Sequence, residues 1–196
     1  MMLAAFANPV FDSQRTFRQL LQAMARPAVP RALPALPPSP APIAPAAMAI
    51  VLTLCDATTS VWLQEPHDDA VGHVRFHAGL KRVEPPQEAD FALITDPASM
   101  PPLAVFARGD LRYPDRSASL IIQAAAIYAS SAGRGGRTFA GPGIRGTASV
   151  AIDGLPADFW HQRAALAAQL PLGVDLFFVA GQDVLALPRT TRLLED

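Results

Sequence analysis

Pro171-Leu172-Gly173-Val174-Asp175-Leu176 opens the stretch that decides the fold, and Leu187-Pro188-Arg189-Thr190-Thr191 closes it. Between them Val174 to Ala180 is β-branched and aromatic, Gly181-Gln182-Asp183 punctuates the run, and Val184 to Leu187 resumes it. This predicts a hairpin of two buried strands joined by a three-residue loop. Pro188 has no amide hydrogen to give to a ladder, so it ends the second strand. Arg189-Thr190-Thr191 then leaves a buried strand as a polar tripeptide. Folding alone does not demand polarity there, which makes these three residues candidates for recognition.

Upstream, further apolar runs alternate with helical patterns. Val61-Trp62-Leu63, Phe91 to Thr95 (closed by Asp96-Pro97) and Leu120-Ile121-Ile122 within Ser117 to Tyr128 read as short buried strands. Ala46 to Leu54 is apolar on every face and follows Pro45, so it predicts a deep helix with proline in its first turn. Phe17, Leu20, Leu21 and Met24 recur at i, i+3, i+4 and i+7, which predicts an amphipathic helix opened by Asp12-Ser13 and ended by Arg26-Pro27. Arg15, Arg18 and Gln22 then fall on its solvated face. Pro101 to Ala107 predicts a helix stopped at Gly109. Pro156 to Gln169 predicts the last helix, with the Arg163 stem running along its apolar face to reach water. Val29 to Pro45 holds seven prolines and reads as a stiff surface crossover, neither strand nor helix. Strands alternating with helices imply an α/β layered sheet, partly parallel.

A chain of 196 residues, 51% hydrophobic and 17% charged, suits one well-buried domain spanning 1–196. The net charge of −1 argues against nucleic acid or an anionic membrane as partner. So low a charged fraction also hints that a partner covers some apolar surface. No apolar stretch reaches about 18 residues and the first ten lack a basic segment, so a soluble, cytoplasmic protein is expected. Cys55 is alone, which excludes an internal disulfide and a cysteine metal centre. Lys81 is the one lysine, in a solvated turn, which leaves neither a P-loop nor a dry Schiff-base lysine.

Two constellations invite chemistry. His67, His73 and His77 lie in an acidic stretch, but their spacing matches no established ligand pattern, and the reading is of solvated loop histidines without metal. Gly133 to Gly146 holds six of the twelve glycines with Arg134, Arg137 and Arg145 between them. Converging amides and arginine forks suit a phosphate. The alternative is a glycine-rich hairpin turn from Ser131 to Gly136, a strand around Thr138-Phe139 and a tight turn at Gly141-Pro142-Gly143. Both readings stand at this point.

Five segments in order resemble one family. They are Pro9 through Met24-Ala25-Arg26-Pro27, with Phe17-Arg18 and Leu21 in place; Leu52 to Leu63, with Leu54, Asp56, Thr59 and Val61-Trp62-Leu63; Tyr113-Pro114-Asp115-Arg116-Ser117-Ala118-Ser119-Leu120; Gly141-Pro142-Gly143-Ile144; and Leu170 to Asp175 ending in Leu187-Pro188-Arg189-Thr190-Thr191. Together they look like the PhnH family, a subunit of the bacterial carbon–phosphorus lyase core complex. Ala28 stands where the family commonly has glycine, Ser119 where it has threonine, and the loop Arg108 to Arg112 differs. The resemblance implies a three-layer α/β/α domain with a mixed, largely parallel sheet, similar to the pyridoxal-phosphate-dependent transferase-like fold but without the cofactor. It implies a homodimer in isolation, and assembly with G, I and J subunits. The function it implies is a required, non-catalytic subunit that supports formation of a ribose 1-phosphonate 5-triphosphate from ATP and a phosphonate. The alternatives are a stand-alone phosphonate- or nucleotide-binding module, and an enzyme using Asp115 or Asp175 as acid or base. No catalytic, metal or cofactor residue is assigned. Tyr113, Asp115, Arg116, Arg134, Arg137, Arg189, Thr190 and Thr191 are the candidate contacts to a ligand or a partner. The competing reading is local: Asp115 pairs with Arg116, and Thr190-Thr191 cap a strand end.

Overall fold

The computed structural model describes residues 3–129 and 135–194. Its centre is a seven-stranded sheet. The strands are β1 (Arg31–Ala32), β2 (Ser60–Leu63), β3 (Lys81–Arg82), β4 (Phe91–Ile94), β5 (Ser119–Gln123), β9 (Asp175–Ala180) and β10 (Asp183–Leu187). The order is β1-β10-β9-β5-β4-β2-β3. Pairings from β9 through β3 are parallel, and β10 joins β9 and β1 antiparallel. A second, antiparallel sheet of β6 (Ala126–Tyr128), β7 (Arg137–Ala140), β8 (Ala148–Asp153) and β11 (Arg192–Leu194) is ordered β11-β7-β8-β6.

The large sheet separates two cores, and strand alternation assigns its residues strictly. Val61, Leu63, Leu93, Ile121, Phe177, Val179, Val184 and Ala186 point to one side. Ala92, Ile94, Leu120, Ile122, Leu176, Phe178, Leu185 and Leu187 point to the other. Covered on both faces, these strands read as continuous apolar runs rather than alternating ones. The first face is covered by helices α1 (Pro9–Ala25), α2 (Pro45–Leu54) and α3 (Asp68–Ala78). The second is covered by α4 (Phe159–Ala167) together with the small sheet. The expected α/β/α layering therefore holds fully on one face and only in part on the other, where α4 shares the cover with the small sheet. Phe139 and Val150, from the small sheet, bury themselves where a helix layer was expected.

The hairpin forms with a shorter loop than expected. Asp183 pairs with Ala180, so only Gly181 and Gln182 turn the chain, with Gly181 at φ 56°. Left-handed glycine is what a two-residue hairpin loop requires. Helix α2 keeps its predicted start at Pro45, and Ala46 through Val51 are all buried.

Several elements depart from expectation for local reasons. α1 begins at Pro9, not Asp12, because Asn8 caps it: the Asn8 side chain accepts from the Phe11 amide and Asp12 accepts from the Asn8 amide. Its buried stripe is Thr16, Leu20 and Ala23, while Phe17 and Leu21 are exposed. Of the predicted stripe, Leu20 and Met24 pack into the first core, and Phe17 and Leu21 turn outward. Residues 68–78, read as loop, are helical. Asp68 and Asp69 complement the positive end of the helix dipole, Arg75 and His77 the negative end, and Gly79 at φ 66° stops it. Lys81 lies exposed on the edge strand β3. Pro101 to Ala107 makes only a 3-10 turn, Leu103–Val105, because Leu103 and Phe106 are both drawn into the core and the Gln162 side chain accepts the Leu103 amide at 2.7 Å. In the proline-rich connector, Arg31–Ala32 pairs with β10 as a short edge strand.

Ala28 is buried at φ 62°. That is left-handed backbone, which glycine adopts freely and alanine does not. The glycine common at this position in the resembling family therefore has a conformational reason, and this chain keeps the conformation with a methyl group. Among the described residues no helix is long and apolar enough to cross a membrane.

Candidate functional site

Four of the five resembling segments meet at one corner of the large sheet. The meeting point is the turn Pro188 to Thr191, where the chain leaves β10 and crosses to β11 in the small sheet. The Thr191 amide closes the turn on the Pro188 carbonyl at 2.9 Å. Arg189 reaches back to the start of β9. Its guanidinium Nη2 lies 2.8 Å from Asp175 Oδ2 and its backbone amide donates to Asp175 Oδ1 at 2.7 Å. Its Nη1 donates to the Pro114 carbonyl, which ties in the Tyr113–Arg116 loop. Gly173 lies against Arg189, and Gly141 against the Thr190 carbonyl, where an added Cβ would come to 3.2 Å and 3.0 Å of them. Gly143 presses on the end of α1 at Ala25 and Pro27.

The crossover is secured by a residue that sequence reading assigned to solvent. Arg163 of α4 is 2% exposed. Its Nη2 donates to the carbonyls of Pro188 at 2.6 Å and of Leu187 and Thr191 at 3.4 Å each. Burial pushes its pKa down to about 10, and Asp175 opposes that shift, so it remains a cation at neutral pH. A strand that ends at a proline and changes sheets exposes several carbonyls with no ladder partner, and an arginine fork can serve several at once. The available signal was an arginine on an otherwise apolar helical stripe, which fits a buried donor as well as a snorkelling side chain.

The eight candidate residues divide. Arg189 and Thr191 are structural in their contacts: the first is held by Asp175 and Pro114, and the second is 1% exposed. Tyr113, Asp115, Arg116 and Thr190 are exposed around the same turn. Pro114, Asp115, Pro171, Arg189 and Thr190 line a shallow open cleft there. The Arg116 guanidinium sits 4.1 Å over the Tyr113 ring, a cation–π contact. Arg116 therefore stacks on Tyr113, and no ion pair with Asp115 is found among the described residues. Arg137 opens β7, half-buried and away from this cleft, and Arg134 lies outside the described residues. The second segment, Leu52 to Leu63, is not part of the corner. There Asp56 closes a turn, and the Thr58 hydroxyl and amide hold its carboxyl below the usual range.

The corner lies at the amino ends of the parallel strands β5 and β9. Open α/β sheets more often bind ligands at the carboxyl ends. In this protein that edge is closed by two glutamines. Gln64 bonds both backbone groups of Asp96, and Gln123 accepts from the Ala44 amide at 2.6 Å and donates to Pro42 and Thr95 carbonyls.

The histidines lie apart from the corner. Among the described residues no three His, Cys, Asp or Glu side chains come together as a metal site. His73, expected in a solvated loop, is 2% exposed on the inner side of α3, 4.5 Å centre to centre from His77. Burial first, then His77, lowers its pKa below the ordinary value. Asp68 and Asp69 line the same recess. An unfolded histidine titrates near about 6.5, so below that pH the unfolded chain binds a proton that folded His73 resists. Stability is therefore expected to fall as pH drops from about 7 toward 5.5. Urea midpoints across this range should fall less in His73→Leu; equal falls would place the sensitivity elsewhere.

The alpha-D-ribose 1-methylphosphonate 5-triphosphate synthase subunit PhnH of Rhizobium meliloti (strain 1021) is 38% identical over 193 residues, covering 96% of this chain and 94% of the relative. A putative C-P lyase subunit protein, HtxG, of Stutzerimonas stutzeri is 35% identical over 86 residues, 43% of this chain and 42% of the relative. Residues 4–194 match the family model described as bacterial phosphonate metabolism protein (PhnH), a span that takes in all five segments and the crossover at which four of them meet, and the chain belongs to that family.

Proposed function

We propose that this chain is a required, non-catalytic subunit of a multi-subunit assembly that handles organic phosphonates, the carbon–phosphorus lyase core. In that role it supports formation of a ribose 1-phosphonate 5-triphosphate from ATP and a phosphonate. Its partners are the G, I and J subunits, and in isolation it is a cytoplasmic homodimer acting as one domain over 1–196. The observation that carries this is the 38% identity running through 96% of the chain to a relative named as a synthase subunit. The geometry supports a scaffolding part: Arg163 is buried on the crossover carbonyls, and the Arg189 guanidinium, although it borders the shallow cleft, is held by Asp175 and Pro114. A wider kinship to the pyridoxal-phosphate-dependent transferase-like fold, without cofactor, is part of the same reading and rests on the sequence resemblance.

The test is co-expression of the tagged chain with its neighbouring subunits, and growth on a phosphonate as sole phosphorus source. A stable assembly and phosphonate-dependent growth are expected. Arg189→Ala should abolish that growth. Because Arg189 tethers two loops, the variant is also expected to lose about 1–3 kcal/mol of stability, leaving Asp175 half-buried and unpaired. Asp175→Asn should reproduce the growth defect if tethering is the role. Should the wild-type chain elute alone and bind a phosphonate or nucleotide saturably, the stand-alone binding module replaces the subunit reading.

A further inference from the structure

Helix α1 leaves Val10 74%, Phe11 65%, Phe17 49% and Leu21 55% exposed. Val10, Phe17 and Leu21 are spaced by seven and four, so they form one stripe along the helix. Single exposed apolar side chains are ordinary, but four on one helix, two of them phenylalanine, form a patch. Arg15 and Arg18 border it, both exposed, and neither makes an ion pair or side-chain hydrogen bond among the described residues. With Gln14, Gln19 and Pro34 they line a recess between α1 and the proline-rich connector. A second recess shares Pro34 and continues the groove past Leu36. Phe17, Arg18 and Leu21 belong to the first of the five resembling segments, yet none of them packs into either core.

We infer that the outer face of α1 is a docking surface for a different polypeptide, one presenting apolar side chains bordered by carboxylates. Charge chooses this occupant. The exposed face carries Arg15, Arg18 and, just past the helix, Arg26, against Asp12, which already accepts the Asn8 amide. A second copy packed α1 against α1 would bring arginine toward arginine in a desolvated contact, whereas an acidic-bordered partner neutralises them. Aromatic residues and arginine are also the side chains that concentrate binding energy at interfaces. The existence of a partner rests on the subunit reading above; the surface is separate from the crossover corner.

The test co-expresses the chain with the G, I and J subunits and weighs the assembly by light scattering. Two variants are compared with wild type: Phe17→Glu with Leu21→Glu, and Arg15→Glu with Arg18→Glu. Each is expected to reduce the assembled fraction by about tenfold or more. The circular dichroism, melting temperature and oligomeric state of the isolated chain should stay unchanged. If the apolar pair disturbs folding, the arginine pair, which lies wholly on the surface, decides the matter. Assembly at wild-type level in the arginine pair overturns the inference while leaving the subunit reading intact. Absence of any wild-type assembly removes the subunit reading and this surface with it. Conversion of an isolated dimer to monomer by these variants, with assembly retained, overturns the choice of occupant and assigns the face to a second copy.

Discussion

Gly143→Ala is expected to destabilise the protein by about 3 kcal/mol, through two additive causes. Gly143 sits at φ 82°, a left-handed conformation that costs a residue with a Cβ about 1–2 kcal/mol. The new methyl would also overlap the Ala25 carbonyl oxygen and come within 2.9 Å of Pro27 Cδ. The obstacle is backbone and a proline ring, neither of which can rotate aside, so the end of α1 or the Gly141-Pro142-Gly143 turn must move, at about 1–3 kcal/mol. Gly181→Ala carries the first cause alone: its φ is 56°, but nothing lies within 4 Å of an added Cβ. Urea unfolding of the two variants should therefore differ by the cost of the clash. Equal losses in both would mean that α1 and the turn are not in firm contact.

Arg163→Met is expected to cost about 2–4 kcal/mol. Methionine keeps the packing volume in the second core but donates nothing, so the Leu187, Pro188 and Thr191 carbonyls lose their shared cation in a site that excludes water. The removal of a desolvated charge works in the opposite direction and keeps the loss from being larger. Arg163→Lys should recover only part of it, because all three bonds come from the one Nη2 nitrogen at the tip of the side chain, and the shorter lysine places its ammonium short of that point. Chemical denaturation of the three proteins gives the ranking wild type, lysine, methionine. A methionine variant as stable as wild type would show that water or a backbone shift serves these carbonyls equally well. Because Arg163 acts on the crossover, phosphonate-dependent growth should follow the same ranking.

These two residues also show where sequence reading reached and where it stopped. The glycine–proline–glycine turn was visible as a turn, yet what it turned against was not. Arg163 was visible on the apolar stripe of α4, and its direction depended on a crossover made 25 residues later in the chain. The same limit applies within Gly133 to Gly146, where Gly141 and Gly143 lie close against Thr190 and Ala25, contacts that the sequence does not record; Gly133 and Arg134 lie outside the described residues. Residues 68–78 were misread for a different reason. Their acidic start, basic end and terminal Gly79 are the marks of a helix, but the weak apolar periodicity, with His73 in a buried position, concealed it.

Local pattern by itself determined the apolar strands of the large sheet, the deep helix α2, the stop at Pro188 and the α/β class, because each depends on neighbours within a few residues. Motif order determined the family. Only the tertiary structure decided the rest: that the second face of the sheet is covered partly by another sheet, that α1 turns Phe17 and Leu21 outward, and that Arg189 and Arg163 hold the crossover together. Which face of a helix is buried, and which carbonyls go without a ladder, depends on the approach of segments far apart in sequence, and periodicity carries no record of that approach.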